Sequence, residues 1–198
     1  MDLREIETPT RALVEEAIDR GDGTEAKRLL FHMEQDWFRN KDYSINWIAQ
    51  LLSFIGRRMG EPAVEEALRD FGERYLRARR SPDVAPRKVA EAVVRAMKAN
   101  GGEVTWDEDG EAYTLSFRCG SGGKLIEDGA YRAPRDYLVL RQPGPMLAGL
   151  DEMPAYCAHC PIHNEVQPTE WFGAPSTVQF PGTEPGARCV HRVSKQRA

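Results

Sequence analysis

The spacing of apolar residues changes once along this chain, close to residue 102. Before that point apolar residues recur every three to four positions, as in the segment 45–59, which is the spacing of one face of an α-helix. After it they alternate at every second position in Glu103–Trp106 and Ala112–Phe117, and the intervening Asp107–Gly110 is typical of a hairpin turn. The sequence therefore predicts an α+β fold in which helices come first and an antiparallel sheet follows.

The helical region is predicted to occupy residues 1–102 and to pack as one layer on the small sheet of residues 103–198, so that the two form one compact unit. A helix is predicted over Pro86–Ala99, because proline begins it and the pair of glycines after Asn100 ends it. A turn is predicted at Asn40–Asp42. Three aromatic side chains at helical spacing are predicted to lie in the core: Trp37, Trp47 and Phe54.

The C-terminal half is rich in glycine and proline from Gly120 onward. Two further strands are predicted there, Thr177–Phe180 and Arg188–Val193, but the segment 120–175 has little periodicity. A long irregular segment in a compact domain usually carries function or is held by something other than a core. We therefore expect a loop-rich half that a bound metal ion staples together.

Composition restricts the classes of partner. Hydrophobic residues make up 41% of the chain, which is enough for a core, and the formal net charge is −4. The short run Arg77, Arg79 and Arg80 is interpreted as a solvated helix end, and no nucleic-acid partner is expected. The acidic start of the chain and the lack of an apolar run of roughly 18 residues predict no leader, no membrane partner and a cytoplasmic protein.

All four cysteines lie in the last 80 residues, and three of the four histidines lie beside them. In a reducing compartment such a set indicates metal binding or catalysis more than disulfides. Thiolate and imidazole together suit Zn²⁺. The predicted metal ligands are the four cysteines, Cys119, Cys157, Cys160 and Cys189.

The C-x-x-C segment Cys157–Cys160 is followed by Pro161, which suits the first position of a helix. His163 would then lie on the same helical face as Cys160. Cysteines and histidines exceed the four places of a tetrahedral ion, so two arrangements stay open: a closed structural site of four thiolates, or three ligands with one position left for water or substrate. In the second arrangement His163, Glu165 or His191 would handle protons as catalytic residues.

Two segments carry a resemblance. Cys119–Gly123 and Tyr156–Glu165 resemble an uncharacterised group of bacterial proteins with the motifs CGSGG and YCxHCxxHNE. The order of elements is similar to that of L-2-amino-thiazoline-4-carboxylic acid hydrolase-like proteins, with Gly186–Cys189 in the place of their late cysteine strand. The resemblance covers the C-terminal half by motif and the helical half only by order of elements. It implies an α+β fold and hydrolysis of a small sulfur or nitrogen heterocycle.

The prediction for function is a zinc-dependent enzyme, hydrolase-like or lyase-like, that acts on a small molecule. Two alternatives remain: a non-enzymatic binding or sensor module with a structural zinc, and a thiol redox or metal-handling protein. The expected partner is a small-molecule substrate or ligand, and association into a homodimer stays open. The three hypotheses differ in whether the metal keeps an exchangeable position and in whether a cysteine is exposed and acidic.

Overall fold

The computed structural model describes residues 3–196 and confirms the α+β class. Irregular helical turns continue two of the helices, a π-turn and a 3-10 turn over Gly72–Arg79 and a π-turn over Ile162–Val166. The helices are α1 (Leu3–Glu7), α2 (Thr10–Asp19), α3 (Gly23–Met59), α4 (Glu61–Phe71), α5 (Pro86–Ala99), α6 (Gly122–Glu127), α7 (His159–Pro161) and α8 (Gln167–Phe172). The strands are β1 (Glu103–Glu108), β2 (Ala112–Arg118), β3 (Val139–Leu140), β4 (Met153–Pro154), β5 (Val178–Phe180) and β6 (Cys189–Ser194).

The chain divides into two compact units, residues 1–44 and 45–198, whereas the sequence analysis places its boundary at residue 102 within one unit. Helix α3 is continuous across the division. In the first unit α2 and the start of α3 share a small apolar core of five side chains: Leu13, Val14, Ala17, Ala26 and Leu29.

Helix α3 contradicts two predictions. The turn predicted at Asn40–Asp42 is absent, because these residues are helical and the helix runs without a break to Met59. The aromatic side chains predicted for the core lie instead on exposed positions, with Trp37, Trp47 and Phe54 each exposing more than half of their surface. The buried face of the same helix in the second unit is formed by smaller side chains: Ile45, Ala49, Leu52 and Ser53.

The second unit contains an antiparallel sheet with the strand order β1-β2-β6-β5. The hairpin β1-β2 confirms the predicted hairpin, and β5 and β6 confirm the two later strands. Helix α5 contacts β1, β2 and β6, so it is the helix that covers this sheet. The core between them consists of Ala90, Tyr113, Leu115 and Val193, with Val89, Val93 and Val94 packed against it.

The irregular segments also have a core of their own. Leu140, Met146, Met153 and Ile162 are buried together with Val64 and Leu68 of α4. This cluster fixes the short strand pair β3-β4 and the segment after it, in which the C-x-x-C cysteines lie. Apolar packing therefore stabilises much of the loop-rich half, which the sequence analysis expects a bound metal ion to hold together. Within residues 3–196 we find no helix with the length and apolarity that a membrane crossing requires.

Replacing Leu115 by alanine should lower the free energy of unfolding by about 2–5 kcal/mol, because its side chain is 0% exposed and the cavity left behind cannot fill with water. Urea denaturation of the variant measures this loss. Leu3→Ala is the matched control, because Leu3 is 74% exposed, and it should change stability by less than about 0.5 kcal/mol. Equal losses in both variants would contradict the assignment of Leu115 to the core.

Candidate functional site

Three separate segments bring the four cysteines to one place. Cys119 follows the end of β2, and Cys189 begins the neighbouring strand β6, where it is paired in register with Phe117. Cys157 and Cys160 come after β4 in a tight turn, in which the Cys160 N–H donates to the Cys157 carbonyl at 3.0 Å. The sheet and the turn after β4 thus supply two cysteines each.

The four cysteines line one small cavity of about 110 Å³, together with His159 and His191. Phe117, Tyr156 and Met97 are among the larger side chains that complete its wall. Six soft or borderline ligand side chains therefore line a single cavity.

Polar groups lie near three of the four sulfur atoms. The Gly182 N–H donates to Cys189 Sγ at 3.3 Å, and Cys119 Sγ lies 3.3 Å from the Ser121 hydroxyl, which can also donate. Cys160 Sγ lies 3.5 Å from His159 Nε2, which accepts from the thiol because His159 Nδ1 faces the Tyr156 carbonyl. N–H and O–H donors stabilise a thiolate once it forms. Their presence suits thiols that are deprotonated by a bound cation.

Without a cation, burial holds three of the thiols in their neutral form. Burial raises the pKa of Cys157 well above its ordinary value, and the nearby sulfur atoms add to this effect. Burial also raises the pKa of Cys160 to about 12 and that of Cys189 to about 11. Neutral thiols are poor nucleophiles near pH 7, so these values weigh against the thiol redox hypothesis.

The donor atoms do not yet form a coordination sphere. Within the part of the chain that the structure describes, no three histidine, cysteine, aspartate or glutamate side chains are grouped closely enough to hold a metal ion. The four cysteines nevertheless line the same cavity. Binding of an ion would therefore require the side chains around the cavity to rotate toward it.

His191 is a buried side chain with an unmet hydrogen-bonding capacity. It is 4% exposed, and no described group forms a hydrogen bond with its Nδ1. Its ring packs edge-on against Phe117, with 4.9 Å between the ring centroids, and burial lowers its pKa to about 4. A neutral imidazole with a free ring nitrogen beside four thiols is suited to bind a ligand or to accept a proton.

His163 and Glu165 do not line the cavity, although the His163 ring lies 5.9 Å from that of His159, which does. His163 Nε2 is 2.9 Å from the Leu68 carbonyl oxygen, and Glu165 Oε2 accepts a hydrogen bond from the Gln179 N–H at 3.2 Å. Neither is among the described residues that line the cavity. Their catalytic roles stay predictions. The hydrogen bonds described here connect them to backbone groups of other segments.

The helical segment that carries Cys160 and His163 continues as a π-turn. The Gln167 N–H bonds to the Ile162 carbonyl, five residues back, so the turn is wider than the α-helical turn that the sequence analysis assumes. The His163 carbonyl then has no N–H to accept from further along the helix, because residue 168 is proline. Arg80 Nη1 donates to this carbonyl instead, at 2.6 Å.

Arg80 is a residue that the sequence analysis misinterprets. It is partly buried rather than solvated, and Arg80 Nη2 donates to Asn164 Oδ1 at 2.7 Å. Asn164 in turn donates from Nδ2 to the Cys160 carbonyl at 3.0 Å. A basic residue at the end of a helical segment carries no sequence signal for such long-range contacts, so only the structure identifies it.

Acid should destabilise the metal-free, reduced protein through His163. Burial lowers the pKa of His163 to about 4 from 6.5, so in this range the unfolded chain binds more protons than the folded chain. The stabilisation is present above about pH 6.5 and is lost as the pH falls toward 4, by up to about 3 kcal/mol. Urea denaturation between pH 7 and 4.5 measures this slope.

The variant His163→Gln should show a shallower slope, because its amide can still donate to the Leu68 carbonyl but does not titrate. The control His32→Gln changes an exposed histidine of α3 and should keep the slope of the wild type. An unchanged slope in His163→Gln would show that His163 does not contribute to the loss of stability in acid.

Comparison with known proteins gives this geometry no counterpart: no protein-family model, curated protein or solved structure matches the chain. The resemblance to thiazoline-carboxylate hydrolase-like proteins therefore stays a prediction. The assignment of a function depends on the cavity itself.

Proposed function

We propose that this chain is a zinc-binding protein in which Cys119, Cys157, Cys160 and Cys189 hold one ion. The observation that carries the proposal is that these residues, which are all the cysteines of the chain, line a single cavity of about 110 Å³. Thiolates are preferred zinc ligands, and the Gly182 N–H and the Ser121 hydroxyl lie within hydrogen-bond distance of two of the sulfur atoms. Rotation of the side chains toward the ion is part of the proposal.

We further propose that the protein is an enzyme of the hydrolase or lyase type that acts on a small molecule, with three of the four thiolates on the ion during reaction and the fourth position taken by water or substrate. Zinc in such a site supplies a Lewis acid and lowers the pKa of a bound water. His191 would accept or donate a proton from Nδ1, which no described group engages. The small volume of the cavity restricts the reacting part of the substrate to a few atoms, and a small sulfur or nitrogen heterocycle is the class that the resemblance suggests.

A binding module with a structural zinc is the second candidate. The count of thiols favours it, because four cysteines fill all four places of a tetrahedral ion and leave no exchangeable position. In that case His191 would contact a ligand or stay unpaired, and removal of the metal would destabilise the fold.

Loading the reduced protein with Co²⁺ distinguishes the two candidates. The absorption bands of a tetrahedral Co²⁺–thiolate site report its ligands, and a small added ligand such as imidazole changes them only where a coordination position is exchangeable. The enzyme proposal expects one equivalent of Co²⁺ and a spectral change on adding imidazole. A spectrum that imidazole does not alter would reject the enzyme proposal and favour the structural site, and failure to bind would reject both.

A further inference from the structure

The guanidinium of Arg80 is a partly buried cation without a counter-ion. Its hydrogen bonds go to neutral acceptors only: the His163 carbonyl, Ser176 Oγ at 3.1 Å and Asn164 Oδ1. No carboxylate lies within 4.0 Å of it in the part of the chain described, residues 3–196. Burial lowers the pKa of Arg80, because it removes water from around the charge. A desolvated cation of this kind favours the binding of an anion.

Arg80 also has donors left over. A guanidinium carries five N–H groups, and in Arg80 the Nη1 group makes two hydrogen bonds and the Nη2 group one. The Nε–H and the second Nη2–H make none with the described residues. Nε and Nη2 lie on the same edge of a guanidinium, and this edge matches the two oxygens of a carboxylate.

Arg80 lines a cavity of about 490 Å³ that is separate from the cysteine cavity. Its volume lies in the range of small-molecule sites, roughly 300–1,000 Å³. Phe172, Val89 and Val193 give it apolar walls, and Ser176 contributes a hydroxyl beside the guanidinium. A partly apolar cavity with a cation in its wall suits an amphipathic anion.

The other charges around this cavity favour a single negative charge on the ligand. Arg192 is already shared between Glu111, at 3.4 Å, and Asp109, at 3.8 Å. Asp83 accepts a hydrogen bond from Ser81 and adds a negative charge to the rim, which disfavours a dianion.

We propose that this cavity binds a small organic monocarboxylate, with its carboxylate on Arg80 and its apolar body against Phe172 and Val89. The proposal does not depend on zinc, because none of the cysteines lines this cavity. Arg80 connects the two places through Asn164, which bonds to the Cys160 carbonyl.

Calorimetric titration with benzoate tests the proposal, and benzamide, the neutral analogue, is the control ligand. Benzoate should bind the wild-type protein with one site and with an affinity that falls as salt is added, whereas benzamide should not bind. Ser176→Asp places a carboxylate next to Arg80 and should lower the affinity for benzoate at least about tenfold. The matched variant Ser176→Asn is neutral and of similar size, and it should stay within about twofold of the wild type.

A third variant keeps Arg80 and Ser176 unchanged. Ala174→Trp fills the cavity from its wall and should also abolish benzoate binding, which keeps the test decisive if Ser176→Asp does not fold. No binding of benzoate to the wild type at about 20 mM, or equal binding by the wild type and the Ser176→Asp variant, would overturn the proposal. Binding of inorganic phosphate in place of benzoate would overturn the ligand class.

Discussion

Serine at both Cys157 and Cys160 should abolish the binding of zinc in a one-to-one ratio. The hydroxyl of serine is similar in size to a thiol, but it is a harder and far less acidic ligand that Zn²⁺ does not select. Both residues line the cysteine cavity, so the double substitution removes half of the proposed ligands. Each single substitution should lower the affinity for zinc by on the order of 10²-fold, since a thiolate ligand and its charge are lost.

Competition with a chromogenic chelator measures these affinities on reduced protein. The wild type should also unfold at a lower temperature after zinc is removed, because a ligand that binds only the folded state stabilises it. The double variant should not respond to the chelator. The control His32→Gln removes a histidine outside the cavity and should bind zinc as the wild type does. Retention of one tightly bound zinc by the double variant would contradict the proposed ligand set.

Alanine at Gly120 should destabilise the protein by about 3 kcal/mol or more. A Cβ atom at this position would lie 1.9 Å from the Asn100 carbonyl oxygen and 2.9 Å from the Gly101 carbonyl carbon. Both neighbours are backbone atoms, so they cannot move aside as a flexible side chain would. Gly120 follows Cys119. Displacement of the backbone at residue 120 should therefore also move the Cys119 thiol away from the cavity and lower the affinity for zinc.

Gly110→Ala is the matched control, because no atom lies within 4 Å of the position that its Cβ would take. Its stability should stay within about 1 kcal/mol of the wild type, and a small gain is expected from the lower entropy of the unfolded chain. Urea denaturation with an unchanged m value measures both variants. A stable Gly120→Ala protein would show that the approach of residues 100 and 120 is less close than described.

A second close approach explains another glycine of the same motif. A Cβ at Gly122 would lie 2.7 Å from Cys157 Sγ, so the glycine lets this thiol approach the start of α6. Gly120 and Gly122 both belong to the segment Cys119–Gly123, and both serve packing: Gly120 approaches the backbone of another loop, and Gly122 leaves room for a cysteine.

The elements that sequence predicts well are those with a clear period and defined ends. Helix α5 begins at Pro86 and ends at Ala99, as predicted, because proline, an amphipathic stripe and Gly101 all indicate the same bounds. The hairpin β1-β2 follows its alternating pattern in the same way. The convergence of the cysteines was expected from residue type alone, and the cavity that they share agrees with it.

The failures have a physical cause in each case. The polar run Asn40–Asp42 predicts a turn. The structure has a helix there, because polar residues do not interrupt a helix that continues on both sides of them. His163 is predicted to lie on the helical face of Cys160, but it does not line the cavity, because its Nε2 bonds to the Leu68 carbonyl. The contacts of Arg80 join residues more than 80 positions apart, which no local pattern reports.

Zinc content and zinc K-edge absorption on the purified, reduced protein test the central claim most directly. The account predicts one zinc per chain with sulfur neighbours at about 2.3 Å, and loss of those sulfur neighbours in the Cys157→Ser/Cys160→Ser variant. A light scatterer at about 2.0–2.1 Å beside the sulfur atoms would favour the enzyme, since it reports a nitrogen or oxygen ligand. Protein that contains no zinc, and takes up none when zinc is supplied, would contradict the account.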